Sequence, residues 1–130
     1  MPITQKDLIN SAKLMINAGN LSLSEVDYRN AISRAYYAAY HEADRVANKY
    51  SKGNSGNKHG MHEKLINKLI SHPNIQQRDA VINQIGSLLR MCKKQRVRAD
   101  YRLRATLSKT DAEATLLNCE QIINLTVQFP

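Results

Sequence analysis

The sequence predicts an all-α protein, a four- to five-helix up-and-down bundle built as one domain over residues 1–130. Apolar residues recur at helical spacing along most of the chain, and no alternating strand pattern extends beyond a few residues. The composition agrees, with no Trp, one Phe and three Pro among 130 residues. With 42% hydrophobic and 23% charged residues, the composition is that of an ordinary globular protein, which excludes wholesale disorder. The chain is large enough to form one core.

The first two helices are predicted from capping boxes, in which a hydroxyl and a carboxyl three residues apart cap a helix start. Thr4 and Asp7 form the first box, and Gly19 is a plausible stop. The apolar face of this helix consists of Leu8, Ile9, Ala12, Met15 and Ile16. Ser24 and Asp27 form the second box and open the longest helix, which runs to about Tyr50. Its stripe is rich in alanine, which lets neighbouring helices approach closely: Ile32, Ala35, Tyr36, Ala39, Ala43, Val46, Ala47 and Tyr50.

The second half of the chain contains a polar loop and three further helical segments. Residues 51–58 are small and polar, so we expect a mobile loop there. A short helix follows from about Met61 to Ser71 and is ended by Pro73. The next begins near Arg78 and enters a basic segment, where its continuity through Val97 to Tyr101 is open. The last helix is predicted to start at a box of Thr110 and Glu113, with a buried face of Ala112, Leu116, Cys119, Ile123 and Val127.

Several protein classes are excluded at this stage. No stretch has the ~18 uncharged apolar residues of a membrane span, and residues 1–10 lack the apolar core of a secretory signal. Cys92 and Cys119 are too few and too far apart for a zinc knuckle or a disulfide scaffold. We therefore expect a cytoplasmic protein. We expect no cofactor, and the sequence has no Gly-rich phosphate loop. Ser-His-Asp catalysis has no supporting motif either.

The net charge of +8 is concentrated in residues 90–104, hereafter the basic window. This window has a net charge of +6, with Asp100 as its one acid. Its seven cations are Arg90, Lys93, Lys94, Arg96, Arg98, Arg102 and Arg104. Such a field attracts polyanions, so nucleic acid is the first partner class to consider, while a merely solvated basic face is an equal alternative.

Arg34 and His41 lie seven residues apart on the longest helix, so both side chains leave the same face about two turns apart. A phosphodiester between them would meet a permanent cation at one end and a group that titrates near neutrality at the other. Metal-free RNA cleavage requires these two parts. The spacing alone is weak, because a chain of this composition produces about one such pair by chance. In the structural alternative, Arg34 pairs with a carboxylate, and His41 is a partly buried polar residue.

The segment around this pair is more specific. The string Ser33-Arg34-Ala35-Tyr36-Tyr37-Ala38-Ala39-Tyr40-His41 resembles the signature helix of the HEPN superfamily, in its small stand-alone branch. A second block, Arg98-Ala99-Asp100-Tyr101, resembles the Arg-x-Ala-Asp-Tyr element of that branch. The resemblance covers roughly residues 27–125.

The resemblance implies a HEPN-like helical bundle that dimerises, with the Arg–His motifs of two protomers meeting in a cleft. It implies Arg34 and His41 as catalytic residues, with Tyr37, Arg98, Asp100 and Tyr101 as supporting residues. Asp100 can orient Arg34 or His41 through an ion pair, and Tyr101 can close the core. Many members are metal-independent endoribonucleases, often toxins or antiviral factors, and some are encoded beside a nucleotidyltransferase-type antitoxin. In other branches of the superfamily the Arg–His motif lies on a later helix. The corresponding residues here, 95–104, contain no His.

The remaining histidines and tyrosines suggest weaker sites. His59 and His62 are spaced for one metal ion, but further ligands are missing nearby, so we predict no metal and a solvent-exposed pair. His72 is interpreted as a helix-end residue that complements the dipole. Tyr37 and Tyr40 flank the Arg34–His41 face and are candidates to stack on bases.

Three functions follow as hypotheses. The first is a homodimeric ribonuclease that yields 2′,3′-cyclic phosphate ends, with the basic window holding flanking RNA. The second is a non-catalytic module that binds nucleic acid or a nucleotide and acts with a partner such as a nucleotidyltransferase. The third is a structural subunit in which Arg34 and Asp100 form a buried ion pair.

Overall fold

The computed structural model describes residues 3–17, 25–56 and 60–130. The predictions that fall on Gly19, Ser24 and His59 lie outside these residues, as does the side chain of Met15. Within them the chain forms five helices and no strand, which confirms the all-α prediction. The helices are α1 Gln5–Asn17, α2 Glu25–Tyr50, α3 Met61–Ile70, α4 Gln77–Tyr101 and α5 Lys109–Thr126. Across the described residues, no helix is long and apolar enough to cross a bilayer.

Helix α2 is the centre of the bundle and contacts each of the other four helices. Its buried stripe contains six fully buried alanines, which let the neighbouring helices approach its backbone closely. These are Ala31, Ala35, Ala38, Ala39, Ala43 and Ala47. Larger side chains from the neighbouring helices complete the core, among them Ile16, Ile66, Leu89 and Ile122. The short α3 packs mainly against α4.

The helix starts follow the predicted capping chemistry at one end of the chain and depart from it at the other. In α1 the Asp7 amide donates to Thr4 Oγ1 at 3.1 Å, and the Thr4 amide donates to the Asp7 carboxylate at 2.9 Å. In α5 the equivalent reciprocal pair is Ser108 and Asp111, so the predicted box at Thr110 is wrong by two residues. Both pairs have a hydroxyl and an acid at the right spacing, and in the structure the helix begins after Ser108.

The C-terminal end of α4 is held by Arg29, which is only 8% exposed. The Arg29 guanidinium donates to the carbonyl oxygens of Arg98 at 2.8 Å and Ala99 at 3.0 Å, and also to the carbonyl of Ala105. The Arg98 carbonyl also accepts from the Arg102 amide at 3.3 Å, and the guanidinium adds a cation at the negative end of α4. Helix α4 therefore runs unbroken to Tyr101.

The chain folds back after α5. Val127 was predicted to lie on the buried side of the last helix but is exposed, so that prediction is wrong. Phe129 is fully buried instead, and its ring centroid lies 5.2 Å from that of Tyr50. The backbone turns after Thr126, which moves the apolar contact two residues along the chain.

Residues 51–56 of the polar segment are tied to the end of α3. The Ser51 hydroxyl donates to the Lys68 carbonyl at 2.6 Å, and the Asn54 amide donates to Ser71 Oγ at 2.7 Å. Gly53 is required here, because a Cβ at this position would lie 2.0 Å from the Lys68 carbonyl oxygen. The mobility predicted for residues 51–58 stays a prediction.

Candidate functional site

Arg34, Tyr37 and His41 lie along one exposed face of α2, as helical spacing predicts. Arg34 Nη1 donates to Ser11 Oγ of α1 at 3.2 Å, which directs the guanidinium along the surface. The His41 ring makes an edge contact with Tyr40, with ring centroids 5.8 Å apart. Because Arg34 is exposed, the third hypothesis, in which it forms a buried ion pair with Asp100, is wrong.

Arg96 is the centre of a second cluster, between α2 and the end of α4. Its Nε lies 2.9 Å from Asp100 Oδ2 in an ion pair, although the N–H direction does not fit a hydrogen bond. Its Nη2 donates to the hydroxyl oxygens of Tyr37 at 2.5 Å and Tyr101 at 3.4 Å. Burial alone would lower the pKa of Arg96, but Tyr37, Tyr101 and Asp100 outweigh it and raise that pKa, so the guanidinium stays charged.

This cluster changes the roles expected of the Arg-x-Ala-Asp-Tyr block. Asp100 pairs with Arg96 and accepts a hydrogen bond from the Ser33 hydroxyl at 3.3 Å, rather than orienting Arg34 or His41. The expectation that Tyr101 closes the core is also wrong, because its side chain is 67% exposed. Arg96 turns inward and is only 9% exposed, so its guanidinium lies among the tyrosines rather than in bulk solvent.

His62 lies at the start of α3 and reaches across to α2. Its Nδ1 is 2.6 Å from the hydroxyl of the fully buried Tyr36, and its ring also contacts Tyr40, with centroids 4.5 Å apart. Burial lowers the pKa of His62, Arg96 and Lys93 lower it further, and the imidazole is therefore neutral at neutral pH. Burial likewise raises the pKa of Tyr36, which stays protonated.

The prediction that His62 belongs to a solvent-exposed pair is thus wrong. Its partner Tyr36 is 26 residues away in the chain, so no local pattern indicates the contact. Across the described residues, no group of three or more His, Cys, Asp or Glu side chains is placed to hold a metal ion.

His72, in contrast, serves the fold. It is 8% exposed, its Nε2 lies 2.7 Å from Asp79, and its Nδ1 accepts from the Lys52 amide at 3.0 Å. Hydrogen bonds from the Gln76 amide, from His72 and from the Ile75 amide lower the pKa of Asp79 to about 2. His72 therefore links the polar segment to the capping box of α4, which is more than the helix-end role predicted for it.

The basic window borders a surface groove of about 400 Å³ between the start of α3 and α4, hereafter the basic groove. Its lining consists of Glu63, Val97 and five cations of the window, Arg90, Lys93, Lys94, Arg98 and Arg102. Lys93 pairs with Glu63 at 2.7 Å, and Arg98 donates to the Thr106 carbonyl at 3.2 Å. Lys94, Arg102 and Arg104 are exposed. The groove thus has an excess of positive charge suited to an anionic polymer.

Tyr37 connects the exposed face of α2 to the Arg96 cluster. It lies three residues after Arg34 and four before His41 on α2, while its ring centroid is 5.2 Å from Cζ of Arg96. The exposed face of α2 and the end of α4 therefore adjoin one another. The sequence indicated the α2 face and the basic window separately. Their contact through Arg96 depends on how α2 packs against α4.

Comparison with known proteins gives one finding for the whole chain. The family model described as HEPN domain matches residues 5–129. Neither the curated proteins nor the solved structures contain a match to the chain.

Proposed function

The chain belongs to the HEPN domain family, and we propose that it acts as a metal-independent endoribonuclease whose products end in 2′,3′-cyclic phosphates. Membership of this family indicates a nuclease, another RNA-related protein or a nucleotide-binding module. Domains of the family commonly bind RNA and dimerise. The ribonuclease is the member of this range that the exposed α2 face supports best.

The observation that carries the proposal is that Arg34 and His41 are both exposed on one face of α2, with Tyr37 between them. In the reaction the ribose 2′-oxygen attacks phosphorus, and the bond from phosphorus to the 5′-oxygen breaks. His41 takes the proton of the attacking hydroxyl or supplies one to the leaving oxygen, and water exchanges the other proton. Arg34 stabilises the charge that develops on the phosphorane.

The charge distribution supports RNA as the substrate. Arg96, which contacts Tyr37, lies on the same helix as the cations of the basic groove, and these cations can hold flanking backbone. By family resemblance we extend the proposal to a cytoplasmic homodimer that acts as a toxin or defence component. Its regulator would then be a cognate antitoxin or a nucleotidyltransferase.

The test is cleavage of total tRNA and of a structured messenger RNA in excess EDTA, with end-group analysis of the products. We expect the parent to produce cyclic-phosphate ends, and Arg34→Ala and His41→Ala each to lose 10²-fold or more of the rate, in the range of about 10²–10⁴ known for such groups. Lys6→Ala is the matched control, since it removes an exposed cation from α1. Intact RNA with the parent at every concentration would overturn the proposal.

A non-catalytic binding module is the second candidate, and one observation favours it. The His41 ring has a contact with Tyr40 but no hydrogen-bonding partner among the described residues, whereas a catalytic imidazole is usually oriented by one. This candidate predicts salt-dependent binding without turnover. Joint neutralisation of Arg98 and Arg102, which line the basic groove, would weaken that binding. Arg96, which the sequence also suggested for this test, is buried and is left unchanged.

A further inference from the structure

Two exposed tyrosine rings, Tyr37 of α2 and Tyr101 at the end of α4, both contact the Arg96 guanidinium. Tyr37 is 37% exposed and Tyr101 is 67% exposed, although burial of such rings normally stabilises a fold. The same nitrogen of Arg96 donates to both hydroxyls, at 2.5 and 3.4 Å, so the two hydroxyl oxygens lie within about 6 Å of each other. We refer to Tyr37 and Tyr101 as the tyrosine pair.

The buried Arg96 guanidinium contacts both rings of the tyrosine pair. Its Cζ lies 5.2 Å from each of the two ring centroids and 5.8 Å from that of the buried Tyr36. The ion pair with Asp100 holds the guanidinium in place. Each exposed ring is therefore restrained before any ligand arrives, which lowers the conformational entropy that binding would cost. Rigid exposed aromatic rings of this kind are typical of recognition surfaces.

The surroundings of the tyrosine pair carry positive charge on both sides. Val97 and Arg98, which line the basic groove, precede Tyr101 by four and three residues and thus share its part of the helix surface. On the other side, Tyr37 shares the α2 face with Arg34 and His41. The tyrosine pair is thus next to groove residues on α4 and shares the α2 face with Arg34 and His41.

This chemistry favours a nucleobase over a protein partner. A base offers a π-face to stack on tyrosine while its phosphates pair with the adjacent cations. A second copy docked on the tyrosine pair, rather than on the Arg34–His41 face as in the proposed homodimer, would bring one basic window, with its net charge of +6, close to another. The base must be unpaired, because a duplex stacks its bases internally and hides their faces.

We propose that the tyrosine pair is a binding site for one unpaired base of single-stranded RNA, with the basic groove holding the phosphates beside it. This inference rests on the proposed function only in taking RNA as the polymer. It requires binding and not cleavage, so the two proposals can fail separately.

The first experiment uses the absence of Trp from the chain. Tyr101→Trp introduces a single fluorescent reporter, which a stacked base quenches. The probe is a short single-stranded RNA with 2′-O-methyl groups, which lacks the nucleophile for cleavage. We expect quenching that saturates at the same concentration as fluorescence anisotropy of the labelled probe, and no quenching by the duplex of the same sequence.

The second experiment compares affinities of variants for the same probe. Tyr101→Leu and Tyr37→Leu remove the ring, and we expect each to weaken binding about 10- to 100-fold. Tyr101→Phe keeps the ring and is expected to stay within about 3-fold of the parent. Leu103→Ala is the matched control, since Leu103 is 77% exposed two residues further on.

The outcomes separate the possibilities. Equal affinity of the parent and Tyr101→Leu, equal binding of duplex and single strand, or absence of binding by the parent would each overturn the inference. A change in oligomeric mass in Tyr101→Leu with unchanged affinity would assign the rings to an interface between copies, and would also overturn it. Stacking by a parent that leaves unmodified RNA intact would uphold this inference and overturn only the ribonuclease.

Discussion

The hydroxyl of Tyr36 lies 2.6 Å from Nδ1 of His62, and this hydrogen bond joins the start of α3 to the middle of α2. Tyr36 is fully buried and its ring also stacks on the imidazole, with centroids 5.6 Å apart. The pair therefore positions α3 at the rim of the basic groove, where the neighbouring Glu63 is part of the lining.

Replacing Tyr36 with Phe should test this link. The change keeps the buried ring and leaves His62 Nδ1 without its partner, so we expect a loss of about 1 kcal/mol in the free energy of unfolding. Urea denaturation measures it. Tyr28→Phe is the control, because Tyr28 is partly buried and its hydroxyl has no hydrogen-bonding partner among the described residues. Equal losses in the two variants would contradict a specific role for the contact.

The stability of the protein should depend on pH through His62. Its pKa in the folded state lies below the ordinary 6.5, mainly through burial and then through Arg96 and Lys93, while Glu63 opposes the shift. As the pH falls below about 6.5, the unfolded chain takes up the proton first, so stability falls until the pH is below the folded pKa. Melting temperatures between pH 8 and pH 5 measure this, and His62→Gln should flatten the curve. Parallel curves for parent and variant would rule out the linkage.

Gly86 should be essential for the packing of α3 on α4. A Cβ at this position would lie 2.8 Å from Leu69 Cβ and 2.9 Å from Ile70 Cγ1. We expect Gly86→Ala to lower the free energy of unfolding by about 1–3 kcal/mol through overpacking. Gly60→Ala is the control, since a Cβ there would meet nothing within 4 Å. That variant should lose less than about 1 kcal/mol, which reflects only the N-cap preference. Similar losses in the free energy of unfolding for Gly86→Ala and Gly60→Ala, measured by chemical denaturation, would contradict overpacking at Gly86.

Arg29 should be among the most sensitive charged residues of the fold. Arg29→Met removes the buried guanidinium that donates to the carbonyls of Arg98, Ala99 and Ala105, and we expect a loss of about 3 kcal/mol or more in chemical denaturation. Arg34→Met is the same substitution at an exposed position of the same helix, and should stay within about 0.5 kcal/mol of the parent. A small loss in the Arg29 variant would show that water can replace the guanidinium at the end of α4.

Neutralising the exposed cations of the basic groove should reduce the salt dependence of RNA binding. For single strands the logarithm of the binding constant changes by about 0.7 per decade of salt for each phosphate contact. Lys94→Gln with Arg102→Gln should therefore lower the slope by about 1.4 if each contacts one phosphate. Lys6→Gln on α1 is the control, and an unchanged slope in the double variant would remove the groove from the interface.

The helices and the α2 face were predictable because they depend on local periodicity. Seven residues separate Arg34 from His41, and any continuous helix brings both to the same side. The start of α5 was less certain, since Ser108 and Thr110 each precede an acid by three residues and the tertiary fold selects between them.

The Arg96 cluster could not be predicted in full because it depends on packing between α2, α3 and α4. A run of cations such as the basic window is normally interpreted as a solvated face. Arg96, however, follows Cys92 by four residues and precedes Ala99 by three, which places it on the buried stripe of α4. This spacing can be read from the sequence and indicates that the Arg96 guanidinium faces inward. The partners of His62 had no such signal, because they lie on another helix.

The cap that Arg29 forms on α4 has a practical consequence. Its bonds are short, buried and shielded from counterions, so they should persist in 1 M salt, where the screening length is about 3 Å. Contacts between the basic groove and phosphates are exposed and should dissociate under the same conditions. A wash at high ionic strength can therefore strip cellular RNA from the purified domain while the bundle stays folded, so that bound nucleic acid does not mask the site in later assays.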